Sequence, residues 1–163
     1  MGESEGAMAQ MERKENIEWK RASEVFPGAT LFGRNGITIE DLVQGFVSNS
    51  WFTSAISTVA EYPGRIEKLF LNNQNELSRT GIYGMNIYTL GFPQTILVDD
   101  FLPLTNKKGK SSTLYAELSN NGALWGAIME KVLAKRFGNY EHIIAGLPSE
   151  AMKFLTGAPY VTY

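Results

Sequence analysis

The strongest constraint on how this chain can fold is a change of hydrophobic period near its middle. Trp51, Phe52, Ala55, Ile56, Val59 and Ala60 recur at helical spacing, and Pro63-Gly64 closes the run. A shorter amphipathic turn follows with Ile66, Leu69 and Phe70. The period then drops toward two. Residues 81–90, 95–99 and 113–118 are rich in Tyr, Ile, Val and Thr, and turn chemistry separates them at Gly91-Phe92-Pro93 and at 106–112. The first two predict an antiparallel pair. A second helix is expected over 123–136, with Leu124, Trp125, Ile128, Met129, Val132 and Leu133 on one side and Lys135 and Arg136 late in it. A last short helix is expected from Ser149, as N-cap, to Thr156-Gly157. Helices flanking a small antiparallel sheet make the class α+β.

Breakers crowd Phe26 to Gly36 into a loop, and packing signals begin at Ile17 and Trp19. Residues 1–15 read as a polar tail outside the fold, leaving 16–163 as one unit. They contain no apolar stretch of a secretory signal, and Gly6 stands where a myristoylation signal needs Ser or Thr. No apolar run approaches the roughly 20 residues of a membrane helix.

Composition removes several functions. The 163 residues contain no cysteine and one histidine, which excludes disulfides, thiolate metal sites, cysteine nucleophiles and multi-histidine metal centres. A net charge of −2 removes the bulk electrostatic case for nucleic acid or an anionic membrane surface. Gly109-Lys110-Ser111 imitates the end of a phosphate-binding loop, but Leu104 occupies the position of its first glycine. Lys107, Lys108 and Lys110 are expected at a solvated loop tip, Asp99-Asp100 in a turn, and His142 in a structural hydrogen bond.

One segment carries chemistry: Asp41-Leu42-Val43-Gln44-Gly45-Phe46-Val47-Ser48-Asn49-Ser50-Trp51-Phe52. A loop bearing Gln44 runs into an apolar helix that opens on the hydroxyl of Ser50. A nucleophile at a helix N-terminus faces orphan N–H groups and the positive end of the helix dipole. Its own N–H and a glutamine amide from the preceding loop can together donate to a developing oxyanion. On the residues alone, Ser50 as a plain cap and Gln44 as a solvated side chain remain open.

Across nearly all of 16–157 the chain resembles the calpain family of papain-like cysteine peptidases, in the first subdomain of their catalytic core. The resemblance rests on runs in register: Glu18-Trp19-Lys20-Arg21, Leu31-Phe32, Asp41 to Phe52, Gly81-Ile82-Tyr83, and Val98-Asp99-Asp100-Phe101-Leu102-Pro103. Leu124-Trp125, Met129-Glu130-Lys131 with Ala134-Lys135, Gly138-Asn139-Tyr140-Glu141 and Leu155-Thr156-Gly157 complete it. The implied fold is the helix-rich half of a papain-like core around a central helix from Ser50.

In that family the residue directly before the tryptophan is the catalytic cysteine, and the glutamine six positions earlier supplies the oxyanion hole. Gln44 and Trp51 match; the nucleophile position holds Ser50. The family's catalytic histidine and asparagine belong to a second subdomain, which the resemblance places downstream of Tyr163. The implied activity is that of a calcium-dependent cysteine endopeptidase in the parent protein, with this chain catalytically inactive. The alternative is a pseudopeptidase module that binds a polypeptide partner.

The resemblance further implies a calcium site built from Asp41, the Gly36 carbonyl and, at the family's Glu position, Asn120. With one carboxylate lost, calcium binding is expected to be weak or absent, and no cofactor is required. The expected partners are a polypeptide substrate or a protein, with self-association through an exposed cleft face. An intracellular, cytoplasmic setting goes with the resemblance.

Overall fold

The computed structural model describes residues 17–161 apart from 46, 48, 108 and 109. The tail expected at 1–15 therefore lies outside the described residues, as do Lys108 and Gly109; the rest of the turn expected at 106–112 is largely strand, with Lys107 paired to Lys110.

Strand β1 (Glu18–Arg21) leads into one turn of helix, α1 (Ala22–Val25). Helix α2 spans Ser50–Ala60 and α3 spans Pro63–Glu67, with Pro63 at the start of α3 rather than merely ending α2. Strands β2 (Ile82–Thr89) and β3 (Phe92–Asp99) form a hairpin, followed by β4 (Phe101–Lys107) and β5 (Lys110–Thr113). Helices α4 (Trp125–Phe137) and α5 (Pro148–Thr156) complete the order.

The architecture is α+β, with two small antiparallel sheets rather than one. One sheet runs β1-β4-β5 and the other is the β2-β3 pair. The strand expected at 113–118 is a correction: β5 ends at Thr113, and residues 114–116 bend away. Its aromatic and aliphatic residues are buried because they line the core beside α4, not because they alternate across a sheet: Leu114 and Tyr115 are almost wholly covered. Strand β4 carries no clean alternating pattern in the sequence, because Pro103 interrupts it. Pro103 pairs with Trp19 on β1, the outer strand of that sheet.

The expected turn at Gly91-Phe92-Pro93 also shifts. Leu90 and Gly91 both have positive φ (52° and 85°), a two-residue connection that lets β3 begin at Phe92. Pro93 faces Tyr88 in the second pair from the turn, where a two-residue hairpin turns the missing N–H outward. At the last helix, Leu147 rather than Ser149 is the N-cap, because Pro148 supplies the first helical residue. Glu150 accepts a 3.4 Å hydrogen bond from the Leu147 N–H.

Helix α2 forms despite a sequence rich in Ser, Thr and β-branched residues. Its apolar stripe is fully used: Trp51, Phe52, Ala55, Ile56, Val59 and Ala60 are all buried. On the other face the Ser57 hydroxyl donates to Thr53 O (2.8 Å) and Thr58 to Ser54 O (3.0 Å). Tertiary packing holds this helix more than propensity does. It packs on α5, where Phe52 meets Phe154 edge-on at 6.4 Å. The Trp51 indole N–H donates to Ile143 O at 2.8 Å, which fixes the start of α2 against the turn that follows α4.

Candidate functional site

Ser50 is the first residue of α2 and is exposed, whereas Asn49, its N-cap, is buried. Ser50 is therefore not the cap: the Asn49 carbonyl accepts the first helical N–H groups, from Phe52 at 2.9 Å and Thr53 at 3.2 Å. Gln44, also exposed, sits on the segment that leads to the helix.

That segment is laid along residues 114–117. Glu117 N–H donates to Val43 O and Val47 N–H to Leu114 O, both at 2.8 Å. Between them, a side chain at Gly45 would place its Cβ 1.6 Å from the Tyr115 carbonyl oxygen, so only glycine allows this approach. The backbone on both sides of Gln44 is thus pinned, and Ser50 stands at the open end of a helix anchored by its core face.

Beneath this surface lies a buried carboxyl that the sequence does not mark as part of the site. Glu130 is 2% exposed, and its Oε2 accepts the Ala116 N–H at 2.6 Å. Burial pushes its pKa up to about 7, while the Ala116 N–H and the Asn49 amide act to lower it. The Asn49 Nδ2 has no hydrogen bond of full geometry, and Thr53 Oγ1 donates to Asn49 Oδ1 at 3.2 Å. Tyr115 and Tyr140, whose rings lie 4.4 Å apart, have phenols pushed up by burial and by the Glu130 charge. Glu130 therefore touches the support of the Gln44 segment and neighbours the cap before Ser50. The available signal was its place in α4, between Met129 and Val132 on the apolar face.

Asp41 is 3% exposed, and four donors serve its carboxylate. Oδ2 accepts from Thr38 N–H (2.8 Å) and the Trp125 indole (3.2 Å). Oδ1 accepts from the Ser119 hydroxyl (2.8 Å) and Asn121 Nδ2 (3.0 Å). The same Asn121 Nδ2 donates to the Gly36 carbonyl at 2.9 Å, so Gly36 and Asp41 are brought together around an amide. Asn120 borders the same groove of about 590 Å³, and its carbonyl accepts from Arg34 Nη2 at 2.8 Å. A calcium ion needs these oxygens turned toward it, with several anionic ligands among them. Here both Asp41 oxygens and the Gly36 carbonyl are already engaged by N–H and O–H donors. Among the described residues no three His, Asp or Glu side chains are placed to hold a metal ion. The residues do not fit the ion.

The remaining candidates are structural. His142 is exposed, and its Nδ1 lies 2.7 Å from Phe137 O, so Nδ1–H donates to that carbonyl. Asp99 pairs with Lys131 and accepts the Phe101 N–H at 2.8 Å; that ion pair and hydrogen bond hold its carboxyl below the usual range against the opposing pull of burial. Asp100 pairs with Arg21 at 3.0 Å.

An exposed residue thus opens a core-anchored helix, and a loop bearing Gln44, pinned on both sides, precedes it. Residues 3–163 match the family model described as calpain family cysteine protease. The chain is 31% identical to a calpain of Schistosoma mansoni over 147 residues, covering 88% of this chain and 19% of that protein. It is 29% identical to calpain-5 of Caenorhabditis elegans (87% of this chain, 22% of that protein). It is also 29% identical to the calpain-1 catalytic subunit of Sus scrofa (86% and 19%). This chain belongs to the calpain family of cysteine proteases. It spans about a fifth of the length of these relatives.

Proposed function

We propose that this chain is the nucleophile-side half of a calpain-type catalytic core, involved in proteolysis within its parent protein and not itself able to cleave peptides. The observation that carries this reading is Ser50: it occupies the exposed first position of α2, six residues after Gln44, where the family places its cysteine. A papain-type site begins from a thiolate, which a thiol can form near neutral pH. A serine hydroxyl does not ionise there and depends on an aligned base. The single histidine donates its Nδ1–H to Phe137 O, an arrangement suited to structure rather than to serving Ser50. What the chain retains is a polypeptide-facing surface with Gln44 as oxyanion-hole donor.

The test is incubation of the chain with casein and with a fluorogenic peptide, with and without calcium. No turnover is expected under either condition. Turnover that Ser50→Ala abolishes would contradict the proposal.

A further inference from the structure

Loops 33–43 and 119–122 meet at the place where the family resemblance puts calcium, and the chain's own donors close that junction. Asn121 Nδ2 bridges the Gly36 carbonyl (2.9 Å) and Asp41 Oδ1 (3.0 Å), and Asn121 Oδ1 accepts the Asn35 N–H at 2.9 Å. One side chain thus reaches three points of the opposite loop. Arg34 returns the link from the other side, through Nη2 to Asn120 O (2.8 Å) and Nε to Asn121 O (3.4 Å), while Arg34 N–H donates to Asn121 O at 3.0 Å. The Ser119 hydroxyl adds a donor to Asp41 Oδ1. The tie also bears on the candidate site. Asp41 O accepts the Val43 N–H at 3.1 Å, and Val43 is the residue paired with Glu117 immediately before Gln44.

We propose that the Asn121 amide, seconded by Arg34, takes the place of a divalent cation and positions the Gln44 segment, so that this half of the cleft is built independently of calcium. This rests on the calpain-type reading above. A buried carboxylate needs compensating donors, and charge-assisted hydrogen bonds from amide N–H groups supply them as a metal otherwise would. Calcium would have to displace Asn121 Nδ2 and the Ser119 hydroxyl from Asp41, and these two loops offer it only one further carboxylate, the exposed Glu40. Asn121 is a positioning residue here.

The experiment is amide hydrogen exchange of residues 34–43 together with thermal unfolding, each in EDTA and in millimolar calcium. The intact chain is compared with Asn121→Asp and Asn121→Ala. The intact chain should give the same exchange rates and the same Tm in both buffers. Asn121→Asp keeps an acceptor for Asn35 but loses the bridging donor and sets a carboxylate beside Asp41. Its exchange in 34–43 should be about tenfold faster in EDTA, as expected for losing roughly 1.4 kcal/mol of local protection. Calcium should restore its protection, which a merely structural asparagine would not allow. Asn121→Ala should lose protection in both buffers.

Calcium protection of the intact chain, or micromolar calcium binding by calorimetry, would overturn the proposal, as would unchanged exchange in both variants. Failure of calcium to rescue Asn121→Asp would overturn the equivalence between amide and cation. These readouts are independent of peptide cleavage: casein turnover would sink the inactive-half reading and leave this one standing, and a calcium response would do the reverse.

Discussion

Glu130 shows at the scale of one residue how a buried ionisable group sets a pH dependence. Its carboxyl is 2% exposed, with a pKa raised from 4.5 to about 7. A carboxyl raised in the folded state binds its proton more tightly there than in the unfolded chain. Its contribution is therefore fully present below the unfolded value and is lost as pH rises through the folded one. Stability should fall between about pH 4.5 and 7, by about 3 kcal/mol in total for a shift of this size. Glu130→Gln keeps an oxygen for the Ala116 N–H but cannot ionise. Urea unfolding at a series of pH values should give a sloping wild-type curve and a flatter one for the variant; parallel curves would contradict the assignment. The identity of Glu130 was visible in the sequence, in a run shared with the family, but its burial was not. That depends on Ala116, Asn49, Tyr115 and Tyr140 arriving from three other parts of the chain. Asp41 is the converse. Its place near the glutamine loop was legible, while its four donors come from Thr38, Ser119, Asn121 and Trp125, and only folding brings the last three to it.

At the scale of elements, the β2-β3 hairpin carries the one non-glycine residue with positive φ among the described residues, Leu90, which is also 83% exposed. A leucine gains nothing there by burial and bears the left-handed backbone cost. Leu90→Asn would make the favoured Asn-Gly turn. It should stabilise the chain by about 1 kcal/mol, roughly 2–4 °C in Tm for a domain of this size. A Tm unchanged or lowered would show that Leu90 is held by something other than the turn. The helices were legible because their apolar residues repeat at the helical period and are in fact buried. The stripe of α2 and the run from Trp125 to Leu133 both behave so. The strands were less legible for two physical reasons. Residues 114–116 are apolar because they line the core beside α4, which mimics a strand. Strand β4 contains Pro103, which breaks the local pattern although pairing to β1 tolerates it.

For the whole molecule, the helix packing, the pinned loop and the buried carboxyl converge on one place: the exposed Ser50 at the head of α2. The absence of cysteine makes that arrangement directly measurable, because Ser50→Cys introduces the only thiol in the chain. A thiol at a helix N-terminus is stabilised as thiolate by the orphan N–H groups and the dipole, without needing a histidine. The decisive measurement is the pH dependence of iodoacetamide labelling of native Ser50→Cys, with unfolded protein as the reference. The native midpoint should lie roughly one unit or more below the ordinary thiol value of about 8.5, which the unfolded chain should show. A native midpoint at or above that of the unfolded chain, or a thiol that does not react until the protein unfolds, would contradict the placement of a calpain nucleophile position at residue 50.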